Sequence, residues 1–131
     1  MLESMRRGSS TCVFREMPVI VSAAAVCGPK EGKGPLGPGF DLIYKDTLAG
    51  ENSWEKAESR MARQAVEIAL AKASLSNNDV DFLFAGDLLN QITASGFMGR
   101  ELNIPFLGIY GACSTMIEGM GLAAALVAGG F

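Results

Sequence analysis

Two short and almost continuously apolar runs constrain the fold of this chain more than any other feature of its sequence. Residues 80–85 are Val-Asp-Phe-Leu-Phe-Ala, and residues 105–110 are Pro-Phe-Leu-Gly-Ile-Tyr. Runs of this length are typical of strands that are covered on both faces, as in parallel sheets. A helix-length segment follows each run, and this alternation predicts an α/β fold with a largely parallel sheet.

Three segments have the periodicity or composition of helices. Residues 53–73 carry an apolar stripe at helical spacing, which predicts an amphipathic helix whose stripe belongs to the core. Its members are Trp54, Ala57, Met61, Ala65, Ile68 and Ala69. Residues 91–102 predict a weaker helix, because Gly96 and Gly99 each cost about 1 kcal/mol relative to alanine. Residues 116–128 are apolar all round, which predicts a buried helix.

The first third of the chain predicts one strand and one long loop. Residues 19–24 begin with a β-branched run and predict a strand, whereas residues 27–40 are dense in glycine and proline and predict a loop. Gly32 and Lys33 match part of the phosphate-binding loop motif. However, Gly34 stands where the motif has Ser or Thr, and Pro35 lacks a backbone N–H to donate to a phosphate. A structural loop is favoured. The predicted organisation is a loose segment at residues 1–11 followed by one domain at residues 12–131.

Composition and charge exclude several classes of function. Eleven basic and fourteen acidic residues give a net charge of −3, which argues against nucleic-acid binding. The chain has no histidine, so it contains no Ser-His-Asp triad, Cys-His dyad or histidine metal site. Three widely spaced cysteines indicate free thiols in a reducing compartment, and we predict no metal and no cofactor. The apolar stretches fit neither a signal peptide nor a transmembrane span.

Polar loops follow the two predicted strands, and we expect them to meet. Asp87, Asn90 and Gln91 follow the first strand, and Cys113 lies in the Gly-Ala-Cys-Ser-Thr turn after the second. Ligands of open α/β sheets bind at the carboxyl ends of the strands, so we expect Asp87 and Cys113 to share one cleft. A helix N-terminus at Cys113 would favour a thiolate or a bound carboxylate. The alternatives stay open: Cys113 as a small buried residue, and Asp87 as a cap or turn residue.

Several segments together resemble the stage V sporulation protein AD family of spore-forming Firmicutes, from about residue 12 to the end. They are Gly28-Pro-Lys-Glu31, Gly34-Pro-Leu-Gly37, Trp54-Glu-Lys-Ala-Glu58, Ala85-Gly-Asp-Leu-Leu-Asn-Gln91, Ile104-Pro-Phe-Leu107 and Gly111-Ala-Cys-Ser-Thr115. The Ala-Gly-Asp-Leu-Leu-Asn-Gln string is specific to that family. The Gly-Ala-Cys-Ser-Thr string is shared with ketoacyl synthases and thiolases. The resemblance implies the N-terminal half of a thiolase-like α/β fold, with a largely parallel mixed sheet packed by helices.

The resemblance also implies a function. It is the non-catalytic binding of dipicolinic acid (pyridine-2,6-dicarboxylate), alone or as its calcium chelate, for uptake into the developing spore. The implied partners are other proteins of the same operon, and the implied location is peripheral on the spore inner membrane after cytoplasmic synthesis. The ligand-binding residues that it implies are Asp87, Asn90, Cys113, Ser114 and Thr115.

A second function stays open, namely a fragment of a Cys-dependent acyltransferase of the ketoacyl synthase III or thiolase type. Cys113 falls where condensing enzymes carry their acyl-accepting cysteine. Complete thiolase-like chains are much longer and have two similar halves. We therefore expect that this chain is an N-terminal fragment, that residues 116–128 expose an apolar patch, and that the chain self-associates or forms a homodimer.

Overall fold

The computed structural model describes residues 6–131, so residues 1–5 of the predicted loose segment lie outside the described residues. The strands are β1 (Arg6–Arg7), β2 (Thr11–Cys12), β3 (Val26–Cys27), β4 (Leu42–Ile43), β5 (Leu83–Ala85) and β6 (Phe106–Gly108). The helices are α1 (Pro29–Gly32), α2 (Trp54–Ala73), α3 (Thr93–Leu102) and α4 (Thr115–Gly129). Short 3-10 turns occupy Gly37–Gly39, Asn77–Asp79 and Ala112–Ser114.

Strands β5 and β6 lie parallel and are joined through α3, as the two apolar runs predict. Leu83 pairs with Phe106, and Ala85 pairs with Gly108. Each strand is shorter than its apolar run, because only three residues of each find a ladder partner. The carboxyl ends of both strands therefore lie at the same edge, and this edge carries the candidate site.

The α/β class is confirmed, but the sheet is not continuous within the described residues. Strands β1 and β2 form an antiparallel pair, while β3–β4 and β5–β6 form two separate parallel pairs. The chain is thus built from small parallel and antiparallel sheets that are packed by helices.

The strand predicted at residues 19–24 is wrong. Strand β3 is Val26–Cys27, because β4 offers partners only to these two residues. Val19, Ile20 and Val21 are 71–79% exposed. A β-branched run becomes a strand only where a neighbour takes up its backbone donors and acceptors, and no such strand lies beside these residues in the described part of the chain. The loop predicted over residues 27–40 is interrupted by the single helical turn of α1.

Helix α2 is confirmed almost to the residue. Ser53 Oγ accepts a hydrogen bond from the Lys56 amide at 3.3 Å, and Ser74 ends the helix in the left-handed conformation. The main core lies where α2, α3 and β5 meet. Its buried members are Met98, Leu102 and Ile104, and the partly buried Ala62, Val66, Val80, Leu83 and Ala85 pack against them.

Helix α4 lies where the sequence predicts it, but it is not buried. Its packing partner is β5, and Met116 and Ile117 remain 69% and 66% exposed. A helix that is apolar all round needs neighbours on every side, and a two-stranded sheet covers only one of them. The expected exposed apolar patch is therefore present.

Residues 112–129 also pass a simple test of length and hydropathy for a membrane span. The window of 18 residues has a mean hydropathy of 1.4, and it is the one such stretch that residues 6–131 contain. Core helices of soluble proteins pass the same test, so the window by itself does not establish a membrane span.

Candidate functional site

The loops after β5 and β6 lie side by side at one edge of the sheet. The Ile109 amide donates to the Ala85 carbonyl at 3.0 Å. Gly86 packs so closely against the Ile109 carbonyl that a Cβ at position 86 would overlap it, and the Cβ would lie 2.8 Å from Thr115 Cγ2. The close approach of the two loops therefore requires glycine at position 86.

The Gly-Ala-Cys-Ser-Thr turn is held by its own hydrogen bonds. The Gly111 amide donates to Thr115 Oγ1 at 3.2 Å, and the Ser114 amide donates to the Gly111 carbonyl at 2.9 Å. Ala112 has a φ of 48°, a left-handed conformation that is unfavourable for alanine and that often marks functional sites. This backbone presents Cys113 as an exposed free thiol.

The first turn of α4 has no side-chain cap. Ser114 occupies the N-cap position, but its hydroxyl accepts no hydrogen bond from the helix. Its oxygen lies 2.7 Å from both the Gly111 carbonyl and Glu118 Oε1, and its single proton can go to one of them. The Thr115 amide donates to the Ala112 carbonyl of the preceding 3-10 turn, so unused donor capacity is confined to the later amides of the first turn, at the positive end of the helix dipole.

A hollow of about 600 Å³ lies between β5 and the start of α4. Its walls include Phe84, Gly86, Met116 and Met120, and Cys113 also lines it. The walls are mainly apolar, with the uncapped turn of α4 at one side. Such a combination suits a small ligand with an apolar ring and an anionic group.

Asp87 is only 5% exposed, and its side chain is turned toward α3. Its Oδ2 accepts from the Ser95 amide and hydroxyl, both at 2.9 Å, and its Oδ1 accepts from the Ile92 and Asn90 amides at 3.1 and 3.3 Å. Burial raises the pKa of this carboxyl, but the hydrogen bonds from Ser95, Asn90 and Ile92 together outweigh burial and lower the pKa. This is the geometry of a residue that caps a helix.

Two glutamates of α2 hold the remainder of the loop. The Leu88 amide donates to Glu58 Oε1 at 3.1 Å, and Asn90 Nδ2 donates to Glu55 Oε1 at 3.0 Å. The pKa of Glu55 is lowered by its own backbone amide first, and then by Ser53 and Asn90. Sequence reasoning missed both glutamates, because they lie more than one element away from the loop. The one available signal was their place in the segment 54–58 that carries the family resemblance.

The structure thus separates the predicted site residues into two groups. Cys113 and Thr115 line the hollow, and Ser114 lies between them. Asp87 and Asn90 lie in the adjoining loop but direct their side chains toward α3 and α2. Their direct contact with a ligand stays a prediction.

The other two cysteines lie elsewhere. Cys12 is exposed in β2, whereas Cys27 is buried, and burial followed by the charge of Glu31 raises the pKa of the Cys27 thiol. Among residues 6–131, no group of three His, Cys, Asp or Glu side chains could hold a metal ion.

Fold and site together define an α/β protein with an apolar hollow at the carboxyl ends of two parallel strands, beside an exposed cysteine turn. A family model described as stage V sporulation protein AD matches residues 8–131. The chain is 46% identical over 124 residues to stage V sporulation protein AD of Bacillus subtilis (strain 168), and the alignment covers 95% of this chain and 37% of that protein. The chain therefore belongs to the stage V sporulation protein AD family, as its motifs predict. It spans little more than a third of the length of this curated relative.

Proposed function

We propose that this chain forms part of a non-catalytic binding site for dipicolinic acid in a sporulation protein with a thiolase-like fold. The observation that carries the proposal is the uncapped N-terminus of α4 beside the apolar hollow. Dipicolinate is a flat aromatic ring with two carboxylates, so it needs apolar walls and backbone donors at one site.

The chemistry of the walls matches the ligand. The ring would lie against Phe84, Met116 and Met120, where aromatic and thioether contacts are favourable. One carboxylate would accept from the first-turn amides of α4, where an anion is favoured by about 0.3–1 kcal/mol. In this proposal Cys113, Ser114 and Thr115 contact the ligand, and Asp87 and Asn90 order the neighbouring loop.

In this proposal calcium is part of the ligand, as its chelate with dipicolinate. Glu118 lies in the first turn of α4 and would repel a bare dianion. A ligand that carries calcium has its charge neutralised, so Glu118 would oppose it less. We therefore expect the calcium chelate to bind at least as tightly as free dipicolinate.

The larger role concerns the whole protein and belongs to the same proposal. Uptake of dipicolinate into the spore, cooperation with other proteins of the operon and peripheral association with the spore inner membrane follow from the family resemblance. The exposed apolar side chains of α4 support self-association.

Isothermal titration calorimetry with dipicolinate, with and without calcium, tests the proposal. We expect saturable heat under both conditions. With calcium we expect a smaller response to benzene-1,3-dicarboxylate, which keeps the carboxylate spacing but lacks the ring nitrogen through which dipicolinate also chelates calcium. Met116→Trp should fill the hollow and abolish binding. The matched control is Met17→Trp, because Met17 is exposed and does not line the hollow. Absence of heat under both conditions would refute the proposal.

One observation favours a second function, a Cys-dependent acyltransferase of the thiolase or ketoacyl synthase III type. Cys113 is exposed beside the left-handed Ala112 at a strand-to-helix turn, a placement that suits a nucleophile. Its thiolate would attack the thioester carbonyl of an acyl-CoA and release the CoA thiol. Intact-mass analysis after incubation with acyl-CoA decides the matter: acylation of Cys113 and not of Cys12 supports the enzyme, and no acylation excludes it.

A further inference from the structure

The loop at residues 86–91 lies between two parts of the molecule. On one side Gly86 is wedged against Ile109 and Thr115, next to the hollow. On the other side the Leu88 amide is held by Glu58 on α2. Leu88 is two residues from Gly86, so the Glu58 hydrogen bond adds to those of the intervening Asp87 in fixing the backbone beside Gly86.

Apart from the buried Asp87, the loop has little packing of its own to fix its position. Leu88 and Leu89 are both exposed, so apolar burial contributes little there. Gln91 and Ile92 adopt left-handed backbone conformations, with φ of 46° and 75°, which are unfavourable for these residues and persist only when surrounding contacts impose them. The hydrogen bonds of the loop thus carry most of this constraint.

Glu58 holds the Leu88 amide, but its own burial costs free energy. Its Oε1 accepts from Leu88, while its Oε2 is buried without a hydrogen-bond partner. A buried carboxylate oxygen without a partner is unfavourable, so an apolar residue would suit helix packing better. The neighbouring groove of about 470 Å³ is lined by Glu58 and Leu89, and also by Gly86, which links this side of the loop to the hollow.

We propose that Glu58 is a positioning residue for ligand binding: by holding the Leu88 amide it keeps Gly86 seated against Ile109 and Thr115, and so sets the shape of the hollow. This inference rests on the proposed function. Glu58 does not touch the ligand, and what matters is an acceptor oxygen at this position rather than its negative charge.

Three variants of the full chain test the proposal. Glu58→Met keeps the length and helix propensity of the side chain but removes the acceptor. Glu58→Gln keeps an acceptor oxygen and removes the charge. Glu67→Ala is the matched control, because Glu67 lies on the same helix and pairs with Arg63 rather than with the loop. Amide hydrogen exchange at Leu88, calorimetric dipicolinate affinity and thermal melting are measured for each.

We expect Glu58→Met to speed exchange at Leu88 and to weaken dipicolinate binding, each by about tenfold, which is the scale of one lost hydrogen bond. Exchange along α2 should not change, which separates positioning from general loss of stability. Glu58→Gln should retain protection of Leu88 and bind dipicolinate at least as tightly as the parent chain. Glu67→Ala should behave as the parent chain.

The outcomes separate this proposal from the proposed function. Faster exchange at Leu88 with unchanged affinity would overturn positioning and leave dipicolinate binding standing. Unchanged exchange in Glu58→Met would overturn it as well. If the parent chain gives no heat with dipicolinate, both proposals fall. If Glu58→Met does not fold, a Glu58→Gln variant that loses affinity overturns the proposal, and one that keeps affinity and Leu88 protection supports it.

Discussion

Replacement of Asp87 by alanine is expected to destabilise the chain by about 1.5–5 kcal/mol. The side chain accepts four hydrogen bonds at the start of α3, two of them from the buried Ser95. Loss of a helix cap costs about 0.5–2 kcal/mol. Leaving the buried Ser95 amide without an acceptor adds about 1–3 kcal/mol, whereas the Ser95 hydroxyl can still donate to the Ile92 carbonyl at 3.3 Å. Against a typical stability of about 5–15 kcal/mol, the change is large.

The Asp87→Asn variant tests how much of this loss comes from the carboxylate rather than from the shape of the side chain. Asparagine has the same shape, and its oxygen can keep the bonds on one side, but its amide group then faces donors on the other. Rotation of the Ser95 hydroxyl relieves part of this conflict, so we expect a loss of about 1–3 kcal/mol. Urea denaturation followed by far-UV circular dichroism measures both variants. Asp81→Ala is the control, because Asp81 is exposed just before β5 and should change stability by less than about 0.5 kcal/mol.

One result would refute the capping argument. If Asp87→Ala has the same urea midpoint as Asp81→Ala, the four hydrogen bonds do not stabilise the fold as argued. Should Asp87→Ala instead keep its stability and lose dipicolinate binding, Asp87 acts in ligand binding rather than in stabilising the fold.

Three further predictions concern the same region. Gly86→Ala should lower the free energy of unfolding by about 1–3 kcal/mol, because the added Cβ overlaps the Ile109 carbonyl. The variant should therefore melt at a lower temperature, and an unchanged melting temperature contradicts this. The folded pKa of Asp87 lies below the ordinary 3.8, so the stability that the ionised carboxylate contributes is present above pH 3.8 and is lost as the pH falls through the folded pKa. The difference in free energy of unfolding between the parent chain and Asp87→Asn should therefore shrink over that acidic range in urea melts. A difference that does not change with pH contradicts this. The parent chain should self-associate in light scattering through the exposed face of α4, and Ile117→Lys should reduce this association; a monodisperse, cooperatively melting parent excludes it.

Local patterns in the sequence predicted much of the secondary structure. The stripe of α2, the runs of β5 and β6 and the weak helix α3 all appear, because backbone conformation and side-chain periodicity are set within a few residues. The placement of two polar loops at one edge also followed, since parallel strands that are joined by a helix point the same way.

Pairing and orientation were not predictable in this way. Residues 19–24 have the composition of a strand, yet pairing begins at Val26, where β4 supplies a partner. The side chain of Asp87 turns toward Ser95, and Glu58 reaches Leu88 across thirty residues of sequence. Each of these outcomes depends on which groups meet after the elements have packed.

The sequence by itself therefore determined the order of α2, β5, α3, β6 and α4 and the family to which the chain belongs. Only the tertiary structure decided which strands pair, and that Asp87 caps a helix while Cys113 lines the hollow. The physical reason is that secondary structure is encoded by short-range periodicity, whereas burial and hydrogen bonding require a partner from elsewhere in the chain.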